Sequence, residues 1–197
     1  MIFQILDANY VYDGDGFPVV QLFGTTPEGK PATVKVSGFL PYFYARVDEK
    51  RLEEAIEGMR AMDLEAEVVE RFRPVGYQKT PQRMLKVIAK DPKSVRVYRE
   101  NVLSVSGVLE VYETDVLFKN RFLIDQDLGG MRWAKVEELV TEGPVPFTSL
   151  QPVEAGDNNL KSRANAPLRH LAFDIECLPL HGAMPNPENS PVIMVSL

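Results

Sequence analysis

The order of apolar patterns between residues 41 and 118 constrains the fold more than any other feature of the sequence. Alternating apolar residues predict strands, and apolar residues three or four apart predict an amphipathic helix. The segments predict, in chain order, strand, helix, strand, strand, helix and strand: YFYARV, DEKRLEEAIEGMRAM, EAEVVERFRPV, RMLKVIA, DPKSVRVYRENVLS and GVLEVYETDVLF. Asp91 and Pro92 suit the start of the second helix as N-cap and first helical residue. This order predicts a ferredoxin-like βαββαβ core over residues 41–118 in an α+β fold.

The segments on either side of this core predict further β-structure. Residues 1–40 alternate apolar runs with Gly, Asp and Pro turns, which predicts a β-meander. Residues 126–166, rich in Gly, Pro, Asn and Asp, predict a connecting region with some strand content. Residues 167–197 contain the runs LRHLAFDIECL and VIMVSL, which predict the first hairpin of another domain. Because a lone hairpin is not stable by itself, either it packs on the preceding domain or the chain is a fragment.

Composition limits the class of protein and the kind of metal site. The 197 residues are 45% hydrophobic, contain no apolar run of membrane-spanning length and begin without a secretory signal. This predicts a soluble protein of the cytoplasm without a membrane partner. One cysteine, Cys177, excludes an internal disulfide and a Cys-rich zinc site, and two histidines, His170 and His181, leave little for a histidine site. Any metal is therefore expected to have oxygen ligands.

Positive charge is concentrated in one part of an acidic chain. The net charge is −6, yet residues 71–99 carry nine Lys or Arg and one acid, Asp91. Phe72, Tyr77 and Tyr98 lie between these cations, as a surface that follows phosphates and stacks on bases requires. Solvated faces of ordinary strands and helices would give the same pattern, so charge alone leaves both interpretations open.

Two carboxylates stand one residue apart in the apolar run RHLAFDIECL, which predicts a buried strand. Because side chains alternate along a strand, Asp174 and Glu176 share one face. Neighbouring ionised carboxylates repel each other unless a cation lies between them, and Mg²⁺ or Mn²⁺ takes such oxygen ligands. The pattern suits two-metal hydrolysis of a phosphodiester. An ordinary half-exposed strand with its acids towards water would have the same sequence.

Five segments resemble the N-terminal region of family B DNA polymerases, in particular the archaeal members. They are ILDANY, FLPYFYARV, DPKSVRVYREN, VYETDVLFKNRFLID and LAFDIE. They follow the family's order and cover essentially the whole chain, and LAFDIE resembles the first exonuclease motif. The resemblance implies that Asp174 and Glu176 bind Mg²⁺ or Mn²⁺ in a 3′–5′ proofreading site. Since the family completes this site with acids from later motifs, the fragment is expected to bind metal weakly and to catalyse nothing.

The resemblance also implies a domain plan and a template-binding pocket. Residues 1–125 would form a template-recognition domain and residues 167–197 the start of the exonuclease domain. The full-length protein would be a DNA-directed DNA polymerase with single-stranded template DNA and a sliding clamp as partners. The basic stretch, rather than the resemblance, predicts that Arg71, Arg73 and Lys93 contact the DNA backbone. Archaeal relatives capture template uracil in a pocket whose matching positions here are Tyr10, Pro41, Tyr42, Pro92, Val95, Val116 and Phe118, with Arg121 nearby.

Such a pocket needs apolar walls, backbone groups that read the base edge, and tight packing where thymine carries its methyl group. Leu117 departs from the family, which often has proline there. Without the resemblance, Tyr42 and Phe118 would be interpreted as core aromatics and Val95 as the apolar side of a helix.

Two other functions compete with the polymerase. One is a stand-alone single-stranded nucleic-acid-binding or regulatory module on the ferredoxin-like core, in which the Asp-x-Glu strand is only structural. The other is a separate RNase H-like nuclease. Continuation of the gene into the later acidic motifs of the family would favour the polymerase.

Overall fold

The chain divides into two units, Met1–Ala166 and Pro167–Leu197. The computed structural model describes residues 1–136, 145–146, 150–153, 165–179 and 184–197. The remaining parts of the predicted connecting region, and His181, lie outside the described residues. No helix in the described ranges has the length and apolar character needed to cross a membrane.

The strands and helices of the described residues follow the chain in a simple order. The strands are β1 (Ile2–Tyr12), β2 (Pro18–Thr25), β3 (Pro31–Ser37), β4 (Tyr42–Val47), β5 (Glu65–Arg71), β6 (Gln82–Ile88), β7 (Val108–Tyr112), β8 (Trp133–Val136), β9 (Val145–Pro146), β10 (Leu150–Pro152), β11 (Asp174–Cys177) and β12 (Val192–Ser196). The helices are α1 (Leu52–Arg60), α2 (Val95–Leu103) and α3 (Phe118–Asp125). Single 3₁₀ turns, Glu49–Arg51 and Pro92–Ser94, lead directly into α1 and α2.

The first forty residues form the predicted meander. In the first sheet the strand order is β10-β8-β1-β2-β3-β9, and β1, β2 and β3 pair antiparallel with one another in sequence. The β1–β2 turn is closed by Asp13, whose carboxylate accepts the N–H groups of Asp15 and Phe17, and Gly16 provides a positive φ of 83°. Strands β8 and β10, which come from the predicted connecting region, extend this sheet beyond β1.

The second sheet has the strand order β5-β6-β4-β7, and all its neighbours are antiparallel. The predicted succession of strand, helix, strand, strand, helix and strand is present from β4 to β7. Alternation along β4 divides the core in two. Phe43 and Ala45 belong to a cluster that includes α1 and α2, whereas Tyr42 and Tyr44 belong to the cluster that includes the first sheet and α3. The two polar-tipped tyrosines therefore face the region where the first sheet, the second sheet and α3 meet.

The predicted strand over residues 107–118 is wrong after Tyr112. Glu113 has a positive φ of 63°, which ends β7, and the chain turns into α3 at Phe118. Phe118 and Phe122, four residues apart, are both buried in the core with Arg121 between them. The apolar residues just before Phe118 favoured a strand, so the helical spacing was missed in the sequence. Phe118 and Arg121 therefore lie on α3 and not at the end of a strand.

The second unit contains the predicted hairpin, in which β11 and β12 pair antiparallel. Its strand begins only at Asp174, and residues 165–173 have no regular structure. The prediction of a buried strand is wrong for the described residues: Phe173 and Ile175 are 66% and 47% exposed. The hairpin is a sheet of two strands, too few to bury apolar side chains by themselves.

Candidate nucleic-acid interface

A cavity of about 430 Å³ lies in the first unit, where β1 meets the start of β4, the start of α2 and the segment from β7 to α3. All eight residues of the predicted pocket line it: Tyr10, Pro41, Tyr42, Pro92, Val95, Val116, Phe118 and Arg121. Lys93, predicted to contact the DNA backbone, lines the same cavity. The sequence pattern did not identify its other polar lining residues, which are Asn9, Arg96, Thr114, Asp115 and Lys119. Single polar residues of this kind do not repeat at strand or helix spacing, so the sequence pattern could not point to them.

Aromatic rings form one wall of this cavity. The ring centroids of Tyr10 and Phe118 lie 5.2 Å apart at 80°, and Phe118 also packs at 5.4 Å on Phe39. Edge-to-face pairs such as Tyr10 and Phe118 are favourable and fix the orientation of the rings. Phe118 is buried in the core and lines the cavity at once, so its core role and its pocket role are compatible.

Tyr42 is held from several directions. Its hydroxyl lies 2.8 and 2.7 Å from the two carboxylate oxygens of Asp125, to which it donates. The guanidinium carbon of Arg121 and the ammonium nitrogen of Lys86 lie 4.7 and 4.6 Å from its ring centroid, within the range of cation–π attraction. Burial and the hydrogen bond to Asp125 raise the pKa of Tyr42 above its ordinary value. Tyr42 is therefore a neutral, fixed wall of the cavity.

Arg121 is a buried cation beside that wall. Its side chain is 9% exposed and pairs at 2.6 Å with the carboxylate of Glu113. Burial acts to lower the pKa of Arg121, but the hydrogen bond and charge of Glu113 act to raise it, and the pKa lies above its ordinary value. The Nε atom of Arg121 is buried and has no hydrogen-bond acceptor among the described residues. The ion pair with Glu113 therefore fixes the guanidinium beside the Tyr42 ring.

A hydrogen bond joins the end of β1 to the turn that precedes α2. Asp91 caps the 3₁₀ turn that leads into α2 by accepting the backbone N–H of Lys93 at 3.0 Å and the hydroxyl of Ser94 at 3.1 Å. The Tyr12 hydroxyl donates to the same carboxylate at 2.6 Å, and the Lys93 ammonium lies 5.2 Å from the Tyr12 ring centroid. These interactions hold the first turn of α2, and with it Val95, against the cavity.

The carboxylate of Asp91 makes this link sensitive to acid. Burial acts to raise the pKa of Asp91, but the hydrogen bonds from Tyr12, Lys93 and Ser94 together lower it by more, so the pKa lies below the ordinary value of 3.8. The stabilisation is present above that value and is lost as the pH falls through the lower pKa of the folded state. Asp91→Asn keeps a capping oxygen but removes the charge. It is expected to cost about 0.5–1 kcal/mol near pH 6 and much less near pH 3, as measured by urea unfolding.

Tyr12→Phe removes one of the three donors to Asp91 and is expected to show a smaller loss of stability with the same pH dependence. An Asp91→Asn cost that is equal at the two pH values would contradict this assignment.

The nine cations of residues 71–99 differ in whether they are paired with acids. Three of them form salt bridges with acids: Lys86 with Glu67, Lys90 with Asp63, and Arg99 with Glu100. Arg71, Arg73 and Lys93 have no salt-bridge partner in the described part of the chain. Arg71 lines a second cavity of about 230 Å³, which shares Tyr42 and Arg121 with the first. The three predicted DNA-backbone residues are therefore among the cations that protein carboxylates leave available.

Asp174 and Glu176 lie in β11, opposite Ser196 and Met194 of β12. Both side chains are exposed, and one carboxylate oxygen of Asp174 accepts the N–H of Ile175 at 2.9 Å. Since they are two residues apart in a strand, they share a face. Among the described residues, no group of three or more His, Cys, Asp or Glu side chains is placed to hold a metal ion. The pair therefore supplies two hard oxygen donors, the type that suits Mg²⁺ or Mn²⁺.

Known proteins similar to this chain match both the unit that contains the cavity and the hairpin that contains Asp174 and Glu176. Residues 109–197 match the family described as DNA polymerase family B, exonuclease domain. The chain is 33% identical to DNA polymerase 2 of Aeropyrum pernix, over 99% of this chain and 25% of that protein. It is 30% identical to the DNA polymerase delta catalytic subunit of Dictyostelium discoideum, over 91% of this chain and 20% of that protein.

A solved structure supports the same relationship. The family B DNA polymerase from the hyperthermophilic archaeon Pyrobaculum calidifontis matches with a TM-score of 0.73 and 33% identity, over 99% of this chain and 25% of that structure. The chain thus spans about a quarter or less of the length of these relatives. Sequence and fold agree over nearly all of its residues, and the chain is homologous to the N-terminal and exonuclease region of family B DNA polymerases.

Proposed function

We propose that this chain is the N-terminal region of an archaeal-type replicative DNA polymerase of family B that proofreads with a 3′–5′ exonuclease. The observation that carries the proposal is the similarity over 99% of the chain to the polymerases of Aeropyrum pernix and Pyrobaculum calidifontis. Continuation of the gene beyond Leu197 into the remaining acidic motifs tests it directly. A full-length protein of this kind would act with a sliding clamp.

The proofreading site would use Asp174 and Glu176. Their carboxylates would hold Mg²⁺ or Mn²⁺, which supplies charge stabilisation for phosphodiester hydrolysis when bound. Two exposed carboxylates give few ligands, so the chain by itself should bind such ions weakly and should not hydrolyse DNA. The match of residues 109–197 to the exonuclease domain, which includes this pair, supports the assignment.

The strand order of the second sheet supports a ferredoxin-like assignment for residues 41–118. In β5-β6-β4-β7 the first and third strands in chain order lie at the centre, and helices follow the first and third strands. This is the arrangement of a split βαβ motif. The hairpin of β11 and β12 would then open the RNase H-like exonuclease domain.

The cavity in the first unit is proposed to receive an unpaired base of the template, with uracil preferred. Its volume of about 430 Å³ falls within the range of small-molecule sites. Tyr10, Tyr42 and Phe118 provide apolar walls, and Val95, the first residue of α2, lines the cavity beside them. The gathering of all eight predicted residues around one cavity is the observation that supports this step.

A module that only binds single strands is the second candidate, and one observation favours it. The cavity lies in the first unit, and so do Arg71, Arg73 and Lys93, three of the cations that form no salt bridge within the described residues, so binding there does not require Asp174 or Glu176. A gene that does not continue beyond Leu197 into the later acidic motifs would favour this candidate.

Single-stranded DNA binding is expected to depend on Arg71, Arg73 and Lys93. Changing all three to Glu should weaken binding of an unmodified oligonucleotide at least roughly tenfold at low salt, because phosphate neutralisation supplies most of the affinity. The slope of log affinity against log salt should fall by about 0.7 for each phosphate that is no longer neutralised. Fluorescence anisotropy over a salt series measures both quantities.

The matched control changes Lys30, Lys50 and Arg60 to Glu. These exposed cations alter the net charge equally, but none lines either of the two cavities. They are expected to change affinity much less. Equal losses of affinity for the two triple variants would show that net charge, rather than this face, governs binding.

A further inference from the structure

The loop between β5 and β6 is basic and contains no acid. The sequence RFRPVGYQKTPQR carries four cations within a chain of net charge −6: Arg73 and Lys79 in the loop, Arg71 at the end of β5 and Arg83 at the start of β6. None of the four forms a salt bridge with a carboxylate of the described residues. This loop is therefore suited to an anionic partner.

Apolar side chains on the same loop are exposed to solvent. Tyr77 is 92% exposed, Val75 67% and Phe72 58%. Single exposed apolar residues are common on protein surfaces. An almost fully exposed aromatic ring surrounded by cations, however, is the arrangement expected of a surface that binds nucleic acid. Nucleic-acid bases offer a flat π-face to such a ring and phosphates to the cations.

The loop is held in shape by the side chain of Gln78. Its Oε1 accepts the N–H of Arg73 at 2.8 Å, and its Nε2 donates to the carbonyl of Val75 at 2.8 Å and to that of Arg73 at 3.2 Å. Gly76 takes a positive φ of 70°, which closes the turn. Tyr77 is thus presented by a preformed loop, and little further ordering would be needed when a partner binds.

The loop starts beside the cavity of about 430 Å³ that is proposed to receive a template base, called the base cavity below. Arg71, Phe72 and Pro74 line the second cavity, which shares Tyr42 and Arg121 with the first. A strand with one base near Tyr42 would find the cations and rings of this loop adjacent to it. The position therefore favours a single-stranded nucleic acid over an acidic protein segment.

We propose that the β5–β6 loop is a second binding surface for single-stranded DNA, in which Tyr77 stacks on a base and Arg73 and Lys79 face phosphates. The proposal rests on the proposed binding of single-stranded DNA by this chain, but it does not depend on uracil capture. It assigns to Tyr77 an interaction that any base can make, since stacking requires only a π-face.

Tyr77→Ala tests the stacking interaction. In the 197-residue chain it is expected to weaken binding of an all-thymidine oligonucleotide roughly fivefold to tenfold, near the lower end for base–aromatic stacking. Tyr77→Phe should bind like the unmutated chain, because stacking does not need the hydroxyl. The salt dependence should not change, because the phosphate-binding cations are all retained. Anisotropy at several salt concentrations measures these effects, and circular dichroism checks the fold.

Phe17→Ala is the matched control. Phe17 is also an exposed aromatic residue in a β-turn region, 45% exposed, but its neighbours Asp13 and Asp15 are acidic. Its removal is expected to leave DNA affinity unchanged. A strand made only of abasic sites provides a second control, to which Tyr77→Ala and the unmutated chain should bind equally.

The outcomes separate this proposal from the base cavity. If the unmutated chain prefers uracil but Tyr77→Ala binds as well as the unmutated chain, the loop proposal fails and the cavity stands. If Tyr77→Ala weakens binding of uracil and thymine strands equally, the loop proposal is supported. Equal weakening on abasic and normal strands would overturn stacking, and equally tight binding of poly-glutamate would make the loop a protein-binding surface. Failure of the unmutated chain to bind any single strand would overturn both proposals.

Discussion

Replacement of both Asp174 and Glu176 by alanine in the full-length polymerase is expected to reduce 3′–5′ degradation of single-stranded DNA by about a thousandfold or more. The two carboxylates would hold the metal ions, which are worth several kcal/mol of transition-state stabilisation in phosphodiester hydrolysis. Polymerisation should be largely intact, because it would use different carboxylates. Degradation of a labelled oligonucleotide without nucleotides, and primer extension with nucleotides, measure the two activities in the same preparation.

Glu188→Ala is the matched control, since Glu188 is an exposed acid of the same unit outside β11 and β12. It should leave both activities unchanged. Retention of 3′–5′ degradation by the double variant would overturn the assignment of Asp174 and Glu176. Loss of polymerisation in parallel with proofreading would instead show that the double variant disturbs the fold.

A single-stranded oligonucleotide with one deoxyuridine is expected to bind this chain roughly tenfold to two-hundredfold more tightly than its thymidine twin. The two ligands differ by one methyl group, and a tight pocket discriminates a change of this size by about 1–3 kcal/mol. The walls available for this are rigid: Tyr42 is fixed by Asp125 and Arg121, and Phe118 packs on Tyr10. Fluorescence anisotropy at matched salt measures the ratio of the two affinities.

Val95→Gln is expected to abolish that preference. Val95 is 8% exposed at the cavity, and a longer polar side chain would occupy the space of the base. The matched control is Val97→Gln, because Val97 lies on the same helix but is 63% exposed and outside the cavity. It should preserve both the preference and the fold. Equal affinities of the unmutated chain for uracil and thymine would remove uracil recognition and leave the homology to DNA polymerases intact.

Much of the first unit could be predicted from local patterns. Strand alternation in β1 to β6 and the helical spacing of α1 depend only on neighbouring residues, and so does the cap formed by Asp91 and Pro92. The structure contains these elements because tertiary packing agrees with local preference there. The pocket residues, in contrast, were named through resemblance to a family, since nothing in the periodicity distinguishes Tyr10 or Val95 from core positions.

The features that shape the cavity depend on residues far apart in the chain. Helix α3 was missed because the apolar run before Phe118 resembles a strand, and only the positive φ of Glu113 ends it. The hydrogen bonds from Tyr12 to Asp91 and from Tyr42 to Asp125 join residues 79 and 83 positions apart. Partners at such separations have no local signature, so their pairing becomes visible only in the folded chain.

The cavity is assembled from β1, the start of α2 and the start of α3, so its lining comes from widely separated parts of the first unit. A molecule that fills it binds the folded state and has no comparable site in the unfolded chain. Occupancy is therefore linked to global unfolding, and the melting temperature of the protein should rise with ligand concentration. Free nucleosides and short oligonucleotides can accordingly be ranked by thermal shift alone, with no labelled DNA and no catalytic activity required.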